Sequence, residues 1–399
     1  MPERLVLSGP RLADGRTVDV RLYGGRIEAV GTPGSLAVRG AAHGEGTRVD
    51  LAGHLLLPAP AEPHAHHDTA LTGVAAGPPP DTPDELRRRI TEAALVQLGH
   101  GATAQRSHIR IGDTRGLADL EGALATRRAL RGLAELTTVA MPRLLTGRAG
   151  ADNRALLRDA LKMGAGALGG CPDLDPDPAG YLEILLSLAD EHGCPIDLHT
   201  EADDPARLAR LASAVAACRS GVAIGPCTGL SRLPAPLAAR CAERLAAAGV
   251  TVICLPQGGC GPAHRAREST PVRLLTAAGV AVAAGGGALR DAANPVGRGD
   301  PLEAAFLLAS RGACEAPEAY GAISGRARRA LGLPEVRIEA GFPAELLALR
   351  GETVAGVLSQ AYSRLVIHRG RIVARTSAVR EYCGSPADGG LELPRQATG

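Results

Sequence analysis

The sequence predicts an α/β chain: a (β/α)8 TIM-type barrel carrying a small discontinuous β-sandwich domain built from both chain ends. Three observations predict it. Eight apolar, β-branched or Ala-rich runs alternate with amphipathic helical stretches, which argues for a parallel sheet covered by helices. Similar strand, glycine-turn, strand patterns stand near the two ends, at Tyr23 to Val30 and at Arg364 to Ala374. The first apolar run ends in His64 and His66, and such barrels carry their functional side chains at the C-terminal ends of strands.

Taken in order, residues 3 to 57 read as short strands punctuated by an Asp14-Gly15 turn and by Gly24-Gly25. Pairing with the strands around Arg364 to Ala374 makes a small domain of residues 1–57 plus 335–384, with the barrel, 58–334, inserted between its halves. The eight runs expected to form the barrel are Leu55 to His66, Thr103 to Ile111, Leu136 to Met141 and Ala167 to Gly170, then Pro195 to Glu201, Val222 to Cys227, Val250 to Pro256 and Val280 to Gly287. Between them, Pro83 to Leu98, Gly180 to His192, Pro205 to Cys218 and Pro234 to Ala248 place Leu and Ala at helical spacing opposite Arg and Glu. Gly77-Pro-Pro-Pro80 reads as a stiff loop over the barrel mouth, and residues 385–399 as a flexible Gly- and Pro-rich tail.

Composition narrows the function. Hydrophobic residues make up 45% of the 399, but aromatics only 2% and Trp is absent, so Ala, Val, Leu and Ile must build the core. A net charge of +2, from 44 basic and 42 acidic residues, is too balanced to attract nucleic acid or an anionic membrane. Nine scattered cysteines without a C-x-x-C pair argue against a disulfide framework and a zinc ribbon. With no apolar leader or spanning stretch, the expectation is a soluble cytoplasmic protein, homo-oligomeric, with a small-molecule partner.

The chemistry-bearing residues are read from the strand ends. His64 and His66, two apart on an extended segment, share a face, and His199 ends the fifth run. Three histidines suit one Zn or Fe ion with open positions, and an ion so held lowers the pKa of bound water. The competing reading is an inherited pocket without metal. Glu201, just past His199, reads as a general acid/base or as a solvated loop carboxylate. Arg143, past the third run, reads as a fork for an anionic substrate or as a surface ion-pairing residue. His108 and Gln257 complete the substrate-facing set, with His108, His67 and Asp68 read as pocket-wall or structural groups. Asp203 and Asp204 are placed as caps of the helix at Pro205, and Cys227 and Cys260 as buried or loop thiols. Lys162 lies in a helix before the fourth run, away from any strand end.

The stretch Glu62-Pro-His-Ala-His-His-Asp-Thr69 resembles the first-strand motif of cytosine deaminases in the amidohydrolase superfamily. Arg106-Ser-His-Ile-Arg-Ile111 resembles that family's second strand, His199-Thr-Glu-Ala-Asp-Asp-Pro205 its fifth, and Gly285 to Pro295 its eighth-strand region. The resemblance spans nearly the whole chain. It implies a single divalent metal, attack of water on a cyclic amidine carbon and loss of ammonia.

Departures from the family pattern qualify that expectation. Pro226 stands where the family's strand-six histidine is expected, and Gly287 where its strand-eight aspartate is expected, so two proton-handling groups and one metal ligand are missing. The family's fifth-strand glutamate follows the histidine by three residues; here Glu201 follows His199 by two, so either one residue has been deleted or Ala202 has replaced the acid. Arg143 takes the place of a substrate-reading glutamine, and Gln257 to Pro262 replace an aromatic, Asn-rich loop. Since one proton-transfer group typically contributes about 10²- to 10⁴-fold, efficient cytosine deamination is not expected. The sequence points to altered hydrolytic chemistry on a small N-heterocycle or amide, or to a catalytically inactive pseudoenzyme that binds a ligand or partner subunit.

Overall fold

In the computed structural model, the described residues are 4–36, 46–73, 82–148, 150–258 and 269–378. The Gly77 to Pro80 loop, Cys260 and the 385–399 tail lie outside them. The chain begins with five strands, β1 (Leu5–Arg11), β2 (Thr17–Tyr23), β3 (Arg26–Gly31), β4 (Thr47–Asp50) and β5 (His54–Pro58). Eight barrel strands follow: β6 (Ala61–Ala65), β7 (Ala104–Ile111), β8 (Glu135–Pro142), β9 (Ala167–Gly170), β10 (Ile196–Thr200), β11 (Val222–Pro226), β12 (Thr251–Cys254) and β13 (Ala281–Ala284). The last three, β14 (Leu346–Arg350), β15 (Arg364–His368) and β16 (Arg371–Thr376), return to the first sheet.

That sheet has the order β16-β15-β14-β5-β1-β2-β3, with β4 beside β1. Its two halves are hydrogen-bonded through one register pair, Arg11 with Leu55, and fold onto a shared core that includes Leu7, Val20 and Leu22 from one half and Leu346, Leu365 and Ile367 from the other. The sandwich is therefore one continuous sheet bent at a single seam. The expected strand from Leu55 to His66 is corrected: it divides between β5 in the small sheet and β6 in the barrel. Pro58 and Pro60 lack amide donors, so a ladder cannot run unbroken through this stretch.

Strands β6 to β13 pair in sequence order, in parallel throughout, and the bridge from Ala65 to Gly287 joins the last strand's end back to the first. Alternation decides which side chains enter the barrel. Ile196, Leu198, Val222, Ile224, Val252 and Val282 face outward, sharing one core with helix residues such as Leu185, Leu211 and Leu245. Their alternates, among them Asp197, His199, Gly225, Leu255 and Gly285, take the opposite face.

The helices are α1 (Pro83–Gly99), α2 (Ala118–Ala129), α3 (Ala151–Met163), α4 (Pro178–His192), α5 (Pro205–Val215), α6 (Ala235–Ala247), α7 (Val272–Ala277), α8 (Pro301–Ser310), α9 (Ala316–Ile323), α10 (Gly325–Ala330) and α11 (Val354–Gln360). Four begin with a side-chain cap before proline: Thr82, Asp177, Asp204 and Asp300 accept backbone N–H bonds ahead of α1, α4, α5 and α8. Proline at the first helical position loses no needed donor, which is why these starts are sharp. No described helix is long and apolar enough to cross a membrane. The seven described cysteines are all free.

Candidate metal centre

The site is built from an every-second-residue rule on three strands. Along β6 and its extension, Glu62, His64 and His66 follow one another at spacing two; β7 carries Arg106 and His108, and β10 carries Asp197 and His199. Arg106 Nη1 reaches Asp197 Oδ2 at 3.1 Å, although β7 and β10 are not neighbours in the sheet, so both side chains cross the barrel interior. The histidines occupy the next layer toward the strand ends.

There His64, His66, His108 and His199 meet, and one ring nitrogen from each lies within 4.8 Å of all the others. His66 Nε2 and His199 Nε2 are 3.0 Å apart, and the rings of His64 and His108 are 4.2 Å apart between centroids. Both ring nitrogens of His64, Nε2 of His108 and Nδ1 of His199 are buried without a hydrogen-bond partner. Burial pushes the His66 pKa down to about 4 and that of His199 to about 3, and holds His64 and His108 well below the usual value. All four rings are therefore neutral near pH 7, the form that ligates metals.

This donor set fits a metal ion. A tetrahedral ion with M–N distances of about 2.0–2.1 Å needs ring nitrogens about 3.3 Å apart, so closing the widest gaps takes only small side-chain movements. His64, His66 and His199 would hold it as the sequence anticipates, and His108, expected as a wall residue, stands with them. Across the barrel, the described ends of strands six, seven and eight present Gly225, Leu255 and Gly287, none of which carries a donor side chain. Gly225 lies in register with His199, and a Cβ on it would stand 2.6 Å from the Ile253 carbonyl.

The eighth-strand glycines have their own cause. The Glu62 carboxylate, fully buried, accepts N–H bonds from Gly286 at 2.6 Å and His64 at 3.0 Å. A Cβ on Gly285 would stand 2.3 Å from Glu62 Oε1, so this carboxylate occupies the space a side chain there would fill. Desolvation raises the Glu62 pKa to about 8 against these hydrogen bonds.

The remaining expected residues divide. Glu201 lies just past β10 and accepts the Thr228 hydroxyl, while buried Ala202 turns left-handed at φ 55°. The carboxylates whose charge acts on His199 are Asp197 and Asp68. Arg143 is exposed immediately beyond β8. Gln257 donates to the Asp300 carbonyl at 3.2 Å, which ties it to the start of α8. Asp204 caps α5, whereas Asp203 pairs with Arg232 at 3.2 Å. Cys227 is fully buried with its thiol pKa pushed up by desolvation, and Lys162 pairs with Asp159 on the outside of α3. Sequence reasoning missed Asp197, Arg106 and Glu62. Their signal was present, since each precedes a site histidine by two residues.

Comparison with known proteins agrees with this architecture. The model of the Amidohydrolase family matches residues 82–374. Pterin deaminase of Rhizobium rhizogenes is 27% identical over 311 residues, covering 73% of this chain and 70% of the relative. The crystal structure of N-isopropylammelide isopropylaminohydrolase from Burkholderia multivorans superposes with a TM-score of 0.81 at 26% identity, covering 94% of this chain and all (100%) of the other. The 5-methylcytosine deaminase of Klebsiella pneumoniae, crystallised with phosphonocytosine, superposes at 0.80 with 22% identity, over 95% of this chain and 100% of its own, a likeness of fold. With its two-sheet architecture, its interior histidines and a family match over most of its length, the chain belongs to the amidohydrolase family.

Proposed function

We propose that this protein is a metal-dependent hydrolase that cleaves a C–N bond in a small N-heterocycle or amide, and that it is not an efficient cytosine deaminase. The observation that carries the reading is the convergence of His64, His66 and His199, whose ring nitrogens lie within 4.8 Å of one another, with both nitrogens of His64 and Nδ1 of His199 lacking a hydrogen-bond partner. One Zn or Fe ion bound there supplies Lewis acidity and activates water. The chain does the rest. Arg106 and Asp197 fix the layer beneath the rings, and Glu201, steadied by the Thr228 hydroxyl, is the carboxylate assigned to carry the proton. Arg143, exposed past β8, is assigned to an anionic group of the substrate. Relatives named for pterin and for isopropylammelide support a nitrogen-rich ring as the substrate class.

A second reading, a binding protein without turnover, is favoured by Pro226 and Gly287, which put no protic side chain on strands six and eight. Metal analysis of protein purified without chelators, with turnover assays on pterins, triazines, pyrimidines, creatinine-like compounds and amides, separates the two. Metal near one equivalent, with hydrolysis of a ring compound that Glu201→Gln lowers by about 10²-fold or more, supports the hydrolase. Binding that Arg143→Ala abolishes, with no turnover in any class, overturns it.

A further inference from the structure

Among the described residues, the nitrogen donors of the cluster come from β6 and its extension, β7 and β10, and Gly287 stands at the strand-eight end where a carboxylate is expected. Resting on the metal reading above, we infer that His108 and Asp197 together do what a strand-eight carboxylate would do, His108 as the fourth donor and Asp197 as the balancing charge.

The ring of His108 argues for the first half. Its Nδ1 faces the Ala65 carbonyl at 3.4 Å, and its Nε2 faces Asp197 Oδ1 at 3.4 Å without a hydrogen bond. Both neighbours are acceptors, and a neutral imidazole has one N–H to give. With that proton on the Ala65 side, Nε2 turns a lone pair toward oxygen lone pairs. A cation among them removes the conflict, and the other bare nitrogens of the cluster surround the same place.

Asp197 argues for the second half. It is fully buried, and while Oδ2 accepts from Arg106, Oδ1 has no hydrogen-bond partner. An unsatisfied buried carboxylate oxygen is costly, so it needs positive charge nearby. Asp197 Oδ1 also lies 3.9 Å from His64 Nδ1. A carboxylate facing one nitrogen of an imidazole that ligates through the other fixes the ring's tautomer and strengthens the ligand. An all-nitrogen set selects Zn, Co or Ni over Mn and Mg.

The test uses the full-length protein loaded with Co(II) or Zn(II). X-ray absorption is expected to count four imidazoles in the wild type and three in His108→Asn. Asp197→Asn is expected to keep four while its Zn affinity, measured against a chromophoric chelator, falls by about 10- to 100-fold. Three imidazoles in the wild type, with His108→Asn binding Zn as tightly, would overturn the inference and leave the metal hydrolase standing. A wild type that takes up no metal overturns both. Should either variant fail to fold by circular dichroism, the wild-type imidazole count decides.

Discussion

The four histidines place a condition on the residue scale that holds with or without catalysis. Their folded pKa values lie below the ordinary 6.5, about 4 for His66 and about 3 for His199, and burial lowers His67 and His100 as well. Between pH 6.5 and those values the unfolded chain binds protons that the folded chain refuses, so stability is held above pH 6.5 and lost as pH falls. Each such group adds a slope of about 1.4 kcal/mol per pH unit where it is fully charged in one state and neutral in the other. Glu62 acts in the opposite sense. With a folded pKa of about 8 against 4.5 for an ordinary Glu carboxyl, its contribution is complete below pH 4.5 and lost as pH rises through 8. Urea midpoints of the metal-free protein are therefore expected to fall on both sides of neutrality. Glu62→Gln should flatten the alkaline limb and His66→Asn with His199→Asn the acid limb; unchanged limbs in these variants would contradict the assignments.

Among the elements, the helix starts and the outward faces of the strands were legible, because capping and period-two alternation are local. Asp204 illustrates it: the Asp-Pro pair marks the start of α5, and its carboxylate accepts from Ala206 N at 2.8 Å and Arg207 N at 3.1 Å. Asp204→Ala is expected to cost about 1 kcal/mol in equilibrium unfolding with unchanged metal content. What was not legible depends on distances across the barrel. Nothing local says that Arg106 of β7 meets Asp197 of β10, or that His108 leaves the wall for the histidine group. The break between β5 and β6 was written in Pro58 and Pro60, yet the apolar run masked it. That the Glu62 carboxylate fills the place of a side chain at Gly285 is likewise visible only when strands one and eight are side by side.

At the scale of the whole molecule, one buried ion pair ties the small sheet to the barrel. Arg364 of β15 holds Asp300 with two hydrogen bonds, 2.9 and 2.6 Å, and donates a third to the His100 carbonyl at 2.7 Å. Asp300 in turn caps α8 through Leu302 N, and its carbonyl receives Gln257. Removing one partner of such a pair typically costs about 3–5 kcal/mol, so Arg364→Ala is expected to lower the unfolding free energy by that order; a loss below about 1 kcal/mol would show the clamp to be dispensable. The clamp also sets an order of events during synthesis. All four histidines have been made by residue 199, but the arginine that fastens the start of α8 comes far later, at residue 364. A nascent barrel thus waits, with its metal donors already made, for the last sheet strands to fasten it.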